Sequence, residues 1–136
     1  MALVFLGSCS SITMDGLQSV ERGMSTNDLF LMVERNAYKV FTVIDPEDGL
    51  EYQVRIFFMV TGTQTYDCGS WIGDVWIPQE CTHAVHEDFA FLFFQDSLLF
   101  WGFLHEFARS DDQRIRRLAP TIIDEAQKED LKGYTE

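Results

Sequence analysis

The chain is short of positive charge: ten Lys and Arg stand against 22 Asp and Glu in 136 residues, for a net charge of −12. A surface of that sign repels phosphate backbones, which weighs against a nucleic-acid role and leaves solubility as the plain use of the acids. The locally basic stretch Arg114-Ile115-Arg116-Arg117 fits a salt-bridged helix face better than phosphate recognition. No apolar run approaches the ~20 residues of a spanning helix. Gly62, Gly69 and Gly73 are too scattered to cradle a phosphate, and no Gly-x-Ser-x-Gly elbow is present. Paired carboxylates such as Asp111-Asp112 and Asp124-Glu125 fall at helix starts or on exposed faces, where capping and solvation account for them. No catalytic residue and no cofactor are expected, and the chain reads as a non-enzyme.

Apolar material is plentiful. With 46% hydrophobic residues and twelve Phe, the chain can bury a core, and the aromatics favour sheet surfaces over a plain helical bundle. Its length suits one domain. Residues 10–16 read as a lead-in. Helical patterns follow at residues 17–22, ended by Gly23, and after Ser25, which with Asp28 three residues on forms a capping box for a second helix that Asn36 closes. Residues 38–44 read as a strand and 45–49 as a turn. Clean alternation across residues 51–60 marks a half-buried antiparallel strand. Residues 61–88 read as the least regular region, with an extra edge strand or hairpin at 71–77. Strands at 89–94 and 98–104, apolar on both faces, should be central. A terminal helix after Ser110-Asp111-Asp112 should be kinked or divided by Pro120. The expected fold is α+β: two short N-terminal helices packed on an antiparallel sheet of about four strands, plus a C-terminal helix. The domain should span residues 17–128, with 129–136 a polar tail.

Three cysteines, Cys9, Cys68 and Cys81, leave two readings open: one pair plus a special thiol, or three unrelated buried thiols. The start, Leu6-Gly7-Ser8-Cys9 after an apolar run, looks like the end of a bacterial lipoprotein signal. It lacks a basic n-region, and residues 2–6 supply only five apolar positions where ~7–15 are needed. Residues 1–16 are therefore either a truncated signal and tether, with Cys9 the lipidation site, or a buried N-terminal strand. If the chain is exported, Cys68 and Cys81 should form a disulfide, with Gly69, Gly73 and Pro78 letting the chain reverse between them. Cys68, Cys81, His83 and His86 have the residue types of a zinc site, but there is no close Cys pair and no finger spacing, so no metal is expected. Trp71 and Trp76 are either partner-binding anchors or loop-to-sheet packing.

Val20-Glu21-Arg22-Gly23-Met24-Ser25 and the helix that follows resemble the opening motif of the SmpA/OmlA (BamE-like) outer-membrane lipoproteins. Phe91-Leu92-Phe93-Phe94-Gln95-Asp96-Ser97-Leu98-Leu99 is similar to that family's closing hairpin. The likeness covers about residues 9–104. The family's Gly-x-Pro is replaced by Arg35-Asn36-Ala37, the 61–88 segment is longer, and the C-terminal helix is extra. The resemblance implies short helices on an antiparallel sheet, a periplasmic outer-membrane location, membrane contact only through a lipid anchor, and an envelope-assembly role through another protein. The alternative is a soluble, cytoplasmic acidic inhibitor or immunity-type protein that neutralises a basic partner.

Overall fold

The computed structural model describes residues 11–128 and is a mixed α+β structure: a five-stranded sheet, a small two-stranded one, and three helices. Cys9 and the 129–136 tail lie outside the described residues. The alternation that begins at Glu51 builds the longest strand, β3 (Glu51–Asp67), paired antiparallel with β6 (Glu80–Phe94). In the body of the fold both are flanked. β2 (Lys39–Ile44) lies antiparallel along the first part of β3, and the two-residue β1 (Ser11–Ile12) runs parallel to Phe58 and Met59. β7 (Ser97–Phe103) pairs with β6 on the other side.

Each face of this sheet carries its own core. On one, Tyr52, Val54, Ile56, Ala90 and Leu92 meet Phe107 of α2 (Leu104–Ala108) and the buried stripe of α3 (Gln113–Gln127): Ile115, Leu118, Ala119, Ile122 and Ala126. That stripe follows the 3.6-residue period, and each buried Leu or Ile contributes about 1.5–3 kcal/mol. On the other, Phe57, Met59, Phe89, Phe91 and Phe93 cluster with Leu17, Val20 and Leu29. Leu29 belongs to α1 (Thr26–Val33), whose start is the capping box read from the sequence: Ser25 Oγ accepts from Asp28 N–H at 3.0 Å, and Asp28 Oδ2 accepts from Ser25 N–H at 3.3 Å.

Several expectations change. The helix expected at residues 17–22 is replaced by a 3-10 turn, Met14–Leu17, and α1 ends at Val33 with Glu34 left-handed, before Asn36. β7 is an edge strand; its apolar residues face the two cores, while its outer side is held by Gly23 and Met24, which exchange 2.8 Å bonds with Leu98. α3 runs unbroken through Pro120, because its apolar stripe and its two capped ends hold it across the missing donor. Residues 61–88 are not a loop. β3 and β6 continue past the body as a two-stranded arm, with one extra β3 residue forming a bulge between Val60 and Gly62. Among the described residues no layer covers the arm, so the apolar alternation that marks a half-buried strand has no cause to appear there.

Polar contacts join distant parts of the chain. Arg117 of α3 grips the fully buried Asp45 with two guanidinium bonds, 2.9 Å from Nε and 2.5 Å from Nη2, and Glu47 N–H adds a third at 3.0 Å. The Arg117 bonds chiefly hold the Asp45 carboxyl down to about 2. At the other end of α3, Lys39 Nζ donates to the carbonyls of Glu125 at 2.9 Å and Ala126 at 3.1 Å, meeting the negative end of the helix.

Two outcomes follow. Because the folded carboxyl titrates below its unfolded value of about 3.9, its stabilising contribution is full above that value and is lost as pH falls towards 2. Denaturation followed from pH 6 to pH 2 should show this acid-side loss, and Asp45→Asn should flatten the slope while lowering stability at pH 6. Lys39→Met should cost about 1–2 kcal/mol in chemical denaturation, with lost helical signal from the end of α3.

Candidate functional site

The arm ends in a small hairpin, β4 (Ser70–Ile72) and β5 (Val75–Ile77), turned by Gly73 and Asp74. Gly73 has φ 64°, while Asp74 keeps the ordinary sign, as a type II′ turn requires. The hairpin registers Ser70 with Ile77, Trp71 with Trp76 and Ile72 with Val75. The two indole rings meet edge to face, centroids 5.5 Å apart.

Asp67, the last residue of β3, organises the junction. Its Oδ1 accepts from Gly69 N–H at 2.9 Å and Gln79 N–H at 3.3 Å, and its Oδ2 accepts from the Trp76 indole at 3.0 Å. These donors, Gly69 N–H foremost, hold the Asp67 carboxyl below the usual carboxylate range. Position 69 must be glycine, since a Cβ there would stand 2.0 Å from the Ile77 carbonyl oxygen. Cys68 and Cys81 are bonded as a disulfide with Cα atoms 5.8 Å apart, a separation a disulfide spans comfortably, so the tip is closed covalently at its base. Asp67 was not singled out from the sequence. The Asp67-Cys68-Gly69 order, an Asx-turn composition, is the signal that could have found it.

The remaining expected residues fall as follows. Trp71 and Trp76 do not pack on the sheet; both are exposed at the tip, with Ile72, Val75 and Ile77 beside them. His83 and His86, three apart on β6, point to opposite faces, His83 against the Tyr66 ring and His86 against Phe58. The two cysteine sulfurs are joined to each other, and among the described residues no three His, Cys, Asp or Glu side chains are placed to hold a metal ion. An open cleft of about 560 Å³ near α2 is lined by Arg22, His105, Glu106, Arg109 and Asp112, among others. Glu106 there accepts from Phe103 N–H and Asp112 from the start of α3, so these carboxylates serve as caps. No family model, curated protein or solved structure matches this chain.

Since the disulfide closes the tip outside both cores, it stabilises the tip locally. The paired change Cys68→Ser with Cys81→Ser should speed amide exchange and proteolysis within residues 68–81. The Tm of the body should move by less than ~4 °C, roughly the shift that 1 kcal/mol produces in a small domain. A loss of the whole cooperative transition would show that the arm is part of the main folding unit.

Proposed function

We propose that the protein is a non-catalytic protein–protein interaction domain that reaches its partner with the tip of the arm. The observation that carries this reading is the group of exposed apolar side chains, Trp71 and Trp76 foremost, on a hairpin closed by a disulfide and pinned by Asp67. Large aromatic side chains held rigid lose little freedom on binding, which makes them effective anchors. In the cleft near α2, by contrast, the carboxylates of Glu106 and Asp112 are already engaged as caps. The disulfide also favours an oxidising compartment. Together with the lipoprotein-like residues around Cys9, this supports a periplasmic domain tethered to the outer membrane by a lipid on Cys9, in an SmpA/OmlA-like accessory role. In that role the Met14–Leu17 turn and α1 would stand for the family's two N-terminal helices on the sheet.

A second reading, a free acidic inhibitor of a basic protein, is favoured by one fact: no Lys or Arg occurs between Arg55 and Arg109. Both readings use the tip, and they differ in the tether. In detergent extracts of cells that make the protein, the full chain should migrate in an assembly larger than itself. Trp71→Ser with Trp76→Ser should release it to its own size, and unchanged migration would sink tip docking. An unmodified Cys9 mass in the membrane fraction would sink the tether and leave the free inhibitor.

A further inference from the structure

The tip hairpin is apolar on both sides. Cross-strand partners share a face and neighbours along a strand alternate, so Trp71 and Trp76 occupy one face while Ile72 and Val75 occupy the other. Neither face is covered by the described residues: Trp71 is 67% and Ile72 66% exposed. A flat partner surface would bury one side of such a blade and leave the other in water, where apolar area gains nothing. A partner that buries both must offer two walls.

Charge narrows the partner further. The arm holds Asp67, Asp74 and Glu80 and no Lys or Arg. Asp67 is already engaged with Gly69, Trp76 and Gln79, but Asp74 stands at the apex of the turn and leads any insertion. A bilayer is a poor host, because Asp74 would be the first group to enter it. A second copy is a poor host too, because each brings a net charge of −12 and an arm with acids alone.

We infer, building on the docking reading above, that the tip is a plug: it inserts between two apolar walls of a cationic protein, whose cleft floor presents a Lys or Arg to Asp74. Apolar burial on both faces supplies affinity, and the apical carboxylate supplies steering and depth. A basic residue on the floor also gives the carboxylate a partner once water is excluded, which an apolar floor would not.

The test places p-benzoylphenylalanine at position 71 in one variant and at position 72 in another, one on each face, in the full chain expressed in the cells that make it. Irradiation should give the same protein adduct from both positions, and the captured protein should be basic by isoelectric focusing. Adding Asp74→Lys should cut adduct yield roughly tenfold, and Asp74→Asn less. An adduct from one face only would overturn insertion while leaving tip docking standing. No adduct from either face would overturn both. An adduct of twice the chain's mass, an adduct with lipid alone, an acidic captured protein, or yields indifferent to Asp74→Lys would each overturn the plug.

Discussion

Hydrogen bonds between β3 and β6 hold in two different surroundings, and the rest of the molecule is arranged around that fact. In the body the ladder is flanked by β1 and β2 on one side and β7 on the other, with a core on each face. Past Val60 the same ladder runs with no neighbour strand and no layer above or below it among the described residues. Each bond there is exchanged against water for a net gain of only ~1 kcal/mol, and a lone two-stranded hairpin is marginal. The arm persists because it is tied at both ends. At its root the ladder is continuous with the core and Tyr38 OH donates to Asp88 at 2.7 Å; at its far end the Cys68–Cys81 bond and the Asp67 carboxylate close it.

The body solves a related problem with polar ties at the ends of elements. α3 is capped by Asp112 at its start and by Lys39 from β2 at its finish, while Arg117 in its middle holds Asp45. α1 is fixed the same way: Asp96, in the turn between β6 and β7, accepts both the backbone N–H and the hydroxyl of Thr26. That turn places both Gln95 and Asp96 in the left-handed region, as a two-residue type I′ connection requires. Only Asp45 among these groups is fully buried, and its several donors offset the loss of water.

Patterned segments were legible. The Ser25–Asp28 box and the stripe of α3 lie where the sequence put them. The alternation in residues 51–60 marked the strand but showed only one of its two buried faces, since Phe57 and Met59 are buried on the side opposite Tyr52, Val54 and Ile56. The arm was illegible for the opposite reason, since strands wet on both sides obey no hydrophobic period. Thr63, Thr65, Thr82 and Tyr66 carry β-propensity without alternation, so composition alone suggested a loop. β7 misled differently: sequence reads burial of faces well but says little about which edge is free, and an edge strand with both faces covered looks central. At the tip, the residue types around Cys68 and Cys81 were plain, but Asp67's role emerges only in the fold because its donors include one twelve residues away.

The extra residue at the root of the arm has a geometric consequence. Beyond it, β3 extends from Gly62 to Asp67 before the tip begins, a reach of ~20 Å at the usual rise per residue. Bulges are where paired strands bend and twist most readily. A change of only ~10° there would swing the tryptophans by about 3–4 Å, close to the thickness of an aromatic ring, while leaving both cores untouched. Thr61, the residue of β3 without a ladder partner, stands at the fulcrum of that swing with its hydroxyl donating to the Val85 carbonyl at 3.3 Å, so the aim of the tip is set at one position outside both cores.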